Sequence, residues 1–459
     1  MSRLWDFIGT AVKTGAQLRG RGASAALSDL ISRSTLGTAL DALRGRSVLI
    51  ATNTQLPTAL ALLELDGVVR RMVLCTPDLT RVQLADVAAE AEADAILVDA
   101  SSALPVPDSL AAYAVATPAP GSIERRGGVE TEWILLTSGT TGAPKLVLHT
   151  LQSLAGALPT HPPVGSPTVW STFYDIRRYG GLQIYLRAVL SGSTLVLSHA
   201  GEPTREFLER AARGAVTHMS GTPSHWRSAL MSGEAALLHP RYVRLSGEIA
   251  DQAVLDGLRA VYPDALIAHA FASTEAGVAF DVTDGRAGFP ASLIGDPSRP
   301  IELKVVDETL RIRSARTAAR YLGTTAETLA NEEGYVDTGD LVEHGDGRYF
   351  FRGRRGGIIN VGGLKVYPEE VESVLNADPR VRMSLVRARR SPITGSVVVA
   401  DVVLADREGT LPPYAPDAVK SDLLAACRRS LAPHKIPAVL RFVPALSLTA
   451  AGKLVRPGG

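Results

Sequence analysis

Thr137-Ser138-Gly139-Thr140-Thr141-Gly142-Ala143-Pro144-Lys145 places four hydroxyls, two glycines and one lysine within nine residues, directly after the apolar run Trp133-Ile134-Leu135-Leu136. Glycines let backbone N–H groups come close to a polyphosphate, hydroxyls add donors, and Lys145 adds charge, so the stretch is suited to the phosphates of ATP. It is not a Walker A loop, because Gly139 is not followed by four residues and then Gly-Lys. A short apolar strand running into such a loop marks an α/β domain.

The surrounding sequence keeps that rhythm. Short β-rich runs at 47–51, 72–75, 95–98, 133–136, 169–173, 194–197, 216–219, 242–245 and 266–269 alternate with stretches patterned as helices, such as 181–190 and 250–261. The alternation predicts β-α units feeding parallel sheets, with ligands bound where the units connect.

After Gly295 the pattern changes: 301–307 and 310–313 flank a short turn and read as a hairpin in an antiparallel piece. Beyond Gly353-Arg354-Arg355-Gly356-Gly357, helices at 368–375 and 418–431 and strands at 381–386 and 397–403 make a compact α+β tail. The expected fold class is therefore α/β: a large domain of β-α units with an antiparallel subdomain (1–353), then a small mobile α+β domain (354–459). Gly356-Gly357 is placed to act as a hinge between them.

Composition narrows the function class. With 48 Lys+Arg against 47 Asp+Glu in 459 residues, charge gives no case for nucleic acid or an anionic membrane as partner. Two distant cysteines, Cys75 and Cys427, exclude a disulfide scaffold or a clustered Cys zinc site. The first residues contain no long apolar leader and no later run reaches about 18 apolar residues, so a cytoplasmic protein is expected.

Four further segments follow in order: Phe271-Ala272-Ser273-Thr274-Glu275; Tyr335-Val336-Asp337-Thr338-Gly339-Asp340; Gly353-Arg354 leading to Gly362-Gly363-Leu364-Lys365-Val366-Tyr367-Pro368-Glu369-Glu370-Val371-Glu372; and Thr449-Ala450-Ala451-Gly452-Lys453. With the 137–145 loop they make the chain, over roughly residues 130 to 456, resemble the AMP-forming acid activators: acyl-CoA synthetases, peptide-synthetase adenylation domains and luciferases.

The resemblance implies a role for each matched position. Thr137, Ser138, Gly139, Thr140, Thr141, Gly142 and Lys145 would hold the phosphates of ATP. Phe271 would stack on adenine, with Ala272 and Ser273 beside it and Ser246, Gly247 and Glu248 at the adenine edge. Thr274 would donate to phosphate and Glu275 would bring a carboxylate to Mg²⁺. Asp340 and Arg354 would take the ribose hydroxyls. Lys453 would stabilise charge developing between the α-phosphate and departing pyrophosphate, which requires the two domains to close.

The acid itself would lie near Ser171–Leu182, where relatives often carry a histidine and this chain has none. Tyr174, Asp175, Arg177, Arg178 and Tyr179 offer polar and cationic groups there, which favours a polar aromatic acid over a long fatty chain. His218, Gly221 and Trp226 are further candidates for the acyl pocket. Coenzyme A is the expected acceptor of the acyl group; a carrier-protein thiol, an amine or another small nucleophile such as nitrite stays open. Three positions depart from the family's pattern: Gly356, where relatives usually carry Asp or Lys, Asn360, where many have lysine, and Ser447-Leu448, where Pro-Lys is common.

Overall fold

The structure, a computed structural model, describes residues 3–99, 109–116, 118–120, 128–138, 144–156, 158–160, 167–323, 328–391, 395–405, 416–447 and 453–455. A seven-stranded sheet runs in the order Arg320–Leu322, Pro144–His149, Glu132–Ser138, Arg71–Leu74, Ser47–Ile50, Ala95–Asp99, Ala111–Val115. Its last five strands are parallel. Ser47–Ile50 and Arg71–Leu74 are buried at every position. Alternate residues feed opposite faces: Val48, Ile50, Met72 and Leu74 join one apolar cluster, Leu49 and Val73 another.

An eight-stranded sheet runs Gly277–Val282, Leu266–Ser273, Tyr242–Ser246, His218–Gly221, Val169–Thr172, Thr194–Val196, Gln17–Arg19, Ser24–Ala26. On one face Met219, Val243, Leu245 and Ile267 pack under helices that contribute Phe207, Leu208, Trp226, Leu255 and Leu258. The helix Tyr179–Leu190 shares its apolar cluster with strands of the seven-stranded sheet and with Trp170 and Leu195 of the eight-stranded one. Being buried on almost all sides is what its run of Leu182, Ile184, Tyr185, Leu186, Val189 and Leu190 requires.

All nine expected strands are present, but both sheets are mixed. Pro144–His149 folds back antiparallel on Glu132–Ser138, and Gly277–Val282 on Leu266–Ser273. The run expected at 216–219 starts at His218; just before it, the Thr217 N–H donates to the Val169 carbonyl and the Thr217 carbonyl accepts from Arg241 and Tyr242 at the start of the neighbouring strand. The helix expected over 250–261 begins at Gln252, capped by the Asp251 carboxylate accepting from the Val254 N–H at 3.0 Å.

The antiparallel piece is a five-stranded sheet ordered Phe289–Pro290, Arg348–Arg354, Val336–Gly345, Thr309–Ser314, Ile301–Val306. Its hairpin turns at Asp307-Glu308, both with positive φ (50° and 60°), a mirror-image turn that matches strand twist. The C-terminal part has its own core around Val371, Leu375, Ala400, Val402, Leu423 and Leu440, formed by helices Pro368–Asn376 and Pro416–Ser430 on the sheet Val381–Ser391, Gly395–Leu404, Val439–Phe442. The fold is thus α/β, with a large N-terminal part carrying an antiparallel sheet and a small α+β part after it. Among the described residues no helix is long and apolar enough to cross a membrane.

Candidate active site

Val169–Thr172, His218–Gly221, Tyr242–Ser246 and Leu266–Ser273 are parallel, so their C-terminal ends share one edge of the eight-stranded sheet. That edge is the ordinary place for a ligand in a parallel sheet. Tyr174, Thr222, Gly247 and Thr274 each begin the segment that leaves it within a residue or two.

Gly247 turns at φ +83°, and over the point where its Cβ would stand lies Lys453, with Cε at 3.3 Å and Nζ at 3.8 Å. Beside it, the Glu248 carboxylate accepts from the Ser224 N–H (2.9 Å) in the first turn of the helix Pro223–Met231, and from the Leu454 N–H (3.3 Å). A carboxylate at a helix N-terminus is favourably placed, so Glu248 joins that helix to the C-terminal segment. Although Lys453 as a residue is exposed, protein around its ammonium and the nearby Arg354 guanidinium lower its pKa, against the pull of Glu248, Asp340 and Glu275.

Asp340 and Arg354 face each other across the hairpin, and Arg354 Nε donates to Asp340 Oδ1 at 3.1 Å. Burial holds the Asp340 carboxyl above the usual range in spite of that guanidinium. On the other side, the Thr274 carbonyl is 2.7 Å from His149 Nε2, and Nδ1 of that ring is 3.0 Å from Ser153 Oγ. His149 is fully buried, and burial pushes its pKa down to about 4, so it stays neutral and Nε2–H donates to the carbonyl. Glu275 Oε1 is 3.5 Å from the Tyr321 hydroxyl, and Lys145 Nζ lies 5.3 Å from the centre of the Tyr321 ring.

The structure therefore gathers Lys145, Ser246, Gly247, Glu248, Thr274, Glu275, Asp340, Arg354 and Lys453 around one crevice, with Ala272 and Ser273 at the end of the strand below. Thr137 pairs with Lys145 and Ser138 with Pro144, fixing the two arms of the hairpin that carries the hydroxyl-rich loop. Gly139, Thr140, Thr141 and Gly142, with the side chain of Ser138, lie outside the described residues.

Other candidate residues are engaged by the protein itself. Phe271 stacks on Phe351 (5.2 Å, 9° between planes) and Phe280 (5.9 Å, 23°), so its ring is held in an aromatic cluster of the fold. Arg177 is 1% exposed, and its guanidinium is taken by Asp175 (Nε–Oδ1 2.8 Å, Nη2–Oδ2 2.5 Å) and the Thr52 carbonyl. It is a buried structural cation whose guanidinium is occupied by protein groups. His218 stands at the N-terminal start of its strand against Trp170 (4.7 Å) and Tyr242 (5.7 Å), about 10 Å along the strand from Gly221. Tyr174 and Tyr179 are buried, and both phenols are pushed well up by desolvation. Tyr174 donates to the Ser246 carbonyl at 2.6 Å and so braces the crevice from below.

Sequence reasoning missed His149, Tyr321 and His225. The last stacks on Phe173 (5.0 Å, 10°) while its Nδ1 accepts from the Thr222 N–H at 3.2 Å. The available signal was Thr222-Pro223-Ser224-His225, a cap residue followed three positions later by a side chain that reaches back.

Residues 55–317 match the family described as AMP-binding enzyme, and residues 370–453 match the AMP-binding enzyme C-terminal domain. Over 319 residues the chain is 30% identical to the 2-succinylbenzoate–CoA ligase of Salmonella typhimurium (strain LT2), covering 67% of this chain and 64% of that protein. It is 27% identical over 364 residues to the human mitochondrial acyl-coenzyme A synthetase ACSM4, covering 72% of this chain and 60% of that one. The matches thus span less than two thirds of either relative's length.

Among solved structures, the anthranilate CoA ligase AuaEII in complex with anthranoyl-AMP superposes with a TM-score of 0.81 at 19% identity, over 99% of this chain and 95% of that one. The o-succinylbenzoate CoA synthetase MenE of Bacillus subtilis with its acyl-adenylate gives 0.76 at 20% identity, over 99% and 97%. At such identities the likeness is one of fold. With both parts of the family matched in order, and the crevice lying where the two parts meet, the chain belongs to the AMP-binding enzyme family.

Proposed function

We propose that this chain activates a carboxylic acid with ATP, forming an acyl-adenylate and pyrophosphate, and then transfers the acyl group to the thiol of coenzyme A. The observation that carries this reading is Lys453 lying over Gly247, with Glu248, Asp340, Arg354 and Glu275 as its electrostatic neighbours. A carboxylate oxygen attacking the α-phosphorus forms one P–O bond while the bond to pyrophosphate breaks. The Lys453 ammonium sits where that charge grows, and a fixed cation favours the transition state over the ground state. Its lowered pKa reflects a desolvated cation, whose electrostatic effect is stronger than in water.

The remaining roles follow position. Lys145 and the hydroxyl-rich loop take phosphates, Asp340 the ribose, and Ser246–Glu248 the adenine edge. Arg354 holds Asp340. Mg²⁺, when bound, would supply positive charge against the triphosphate; Glu275 fits it as a hard oxygen donor whose contact with Tyr321 is a long 3.5 Å. The small part, 354–459, acts as a lid that brings Lys453 in and then withdraws it for thioester formation.

For the acid, a polar aromatic carboxylate is supported by relatives named for 2-succinylbenzoate and anthranilate. ATP–pyrophosphate exchange across aromatic and aliphatic acids, without acceptor, tests the first step. Exchange with an aromatic acid upholds it; exchange that grows with aliphatic chain length overturns the aromatic preference. Silence across the panel, with ATP still bound, would point to a nucleotide-binding protein without turnover. Product analysis with coenzyme A, a carrier-protein thiol, an amine and nitrite then fixes the acceptor.

A further inference from the structure

On the face of the eight-stranded sheet that looks toward the helix Tyr179–Leu190, the paired rows are Trp170–His218–Tyr242 and Thr172–Ser220–Arg244–Ala268. Arg244 is therefore a guanidinium in the middle of a parallel sheet, and it is 4% exposed. Its Nη2 pairs with Asp281 at 2.7 Å, while its Nε is buried without a hydrogen-bond partner among the described residues. Arg187, from the covering helix, lies over the Trp170 ring at 5.6 Å, and its Nε is likewise buried and unpartnered. Arg316 reaches in from the other side, donating to the Val278 carbonyl at 2.9 Å.

These three guanidiniums feel one another. Burial, then Arg244, lowers the pKa of Arg187, with Arg316 acting in the same direction and Tyr242 and Asp281 opposing. Asp281 is the one carboxylate among the strongest neighbours of Arg187. Buried guanidinium N–H groups left without partners are costly, and Arg is the residue suited to receiving a carboxylate in a fork. The neighbouring strand positions Ser220 and Ala268 are small, and Tyr242, Asp281 and Arg187 are incompletely buried, so the group is not sealed in apolar packing.

Resting on the adenylation reading above, we propose that the acid substrate carries a second carboxylate, received by Arg187, Arg244 and Arg316. The strand supplies the ruler. Arg244 is two residues below Ser246 and three below Gly247, where Lys453 lies, which puts the second anion about 7–10 Å from the carboxylate that is adenylated. A flat ring or a short chain between the two acid groups fits that spacing, and a long apolar tail does not suit a cluster of guanidiniums.

The test compares 3-phenylpropanoic acid with 3-(4-carboxyphenyl)propanoic acid, which differ only in the distal carboxylate, by ATP–pyrophosphate exchange and by shift of the thermal midpoint in the presence of AMP. The diacid should exchange with kcat/KM on the order of 10²-fold above the monoacid, and Arg187→Gln should collapse that ratio mainly through KM. Arg187→Lys, which keeps the charge, should restore part of it. Equal or better exchange with the monoacid overturns the proposal, as does a ratio that Arg187→Gln leaves in place. If neither acid exchanges, the adenylation reading is left to the wider panel above, and binding decides the subsite alone. A midpoint raised by the diacid and not by the monoacid, and lost in Arg187→Gln, sustains it; equal shifts overturn it.

Discussion

Lys453 lies on Gly247: the lysine Cε is 3.3 Å, and its Nζ 3.8 Å, from the position a Cβ on Gly247 would occupy. Residues 206 positions apart, one from each matched part of the family, thus share a van der Waals surface at the carboxyl edge of the sheet. The Glu248–Leu454 hydrogen bond holds the same seam one residue further on, and Arg382 Nη2 donates to Ser228 Oγ at 3.2 Å beyond it. On the proposed reading, this is the conformation in which the lysine is delivered.

Gly247→Ala should therefore injure the first step for two separable reasons. At φ +83° an alanine is strained by roughly 1–2 kcal/mol, a cost visible as a lowered thermal midpoint. The added methyl also pushes on the lysine stem, and ATP–pyrophosphate exchange should fall by more than about 10-fold, beyond what lost stability explains. An unchanged exchange rate at saturating acid would show that Lys453 does not work from this position.

Lys453→Ala should reduce adenylation by on the order of 10²–10³-fold, the size seen when a fixed charge-stabilising group is removed. Thioester formation from a supplied acyl-adenylate should largely survive, since the lid then presents another surface. Equal loss in both half-reactions would count against alternation of the small part.

The hinge offers a finer test. Gly356 carries no charge, but its neighbour Arg355 donates to Thr309 Oγ1 (2.7 Å) and Asp337 Oδ2 (3.1 Å) on the antiparallel sheet. With side chains 55% and 36% exposed, this ion pair is worth under about 1 kcal/mol. Arg355→Ala should therefore shift the ratio of adenylation to thioester rates by about two- to fivefold toward the second step, an effect imitated in wild type by high salt. A ratio that moves with neither would mean the pair does not bias the lid.

What the sequence revealed and what it hid follow one physical line. Asp340 and Arg354 were legible because both lie in a local hairpin, where fourteen residues of separation close by strand pairing. The nine strand runs were legible because parallel strands covered on both faces are continuously apolar. Gln17–Arg19 was not, since it pairs with Thr194–Val196 through contacts that leave no local pattern. Arg177 read as a candidate for the acid, and only the fold shows Thr52 and Asp175 enclosing it. Arg244 sits in Tyr-Val-Arg-Leu, an alternation that a half-exposed strand would turn toward water; the helix Tyr179–Leu190 over that face is what buries it.

His149 gives a prediction about pH. Its folded pKa of about 4 lies below the unfolded value near 6.5, so between these the unfolded chain binds a proton that the folded chain refuses. Stability from this residue is complete above about pH 6.5 and declines as pH falls toward 4, by about 2–3 kcal/mol at pH 4.5. His149→Gln keeps a donor for the Thr274 carbonyl and cannot titrate. Carboxylates that protonate in the same range affect both proteins alike and cancel in the comparison. Denaturant unfolding at pH 7 and pH 4.5 should therefore show a smaller loss for the variant than for wild type, by about that amount. Parallel losses in the two proteins would mean that His149 accepts its proton within the fold, and that the Thr274-Glu275 segment tolerates a cation beneath it.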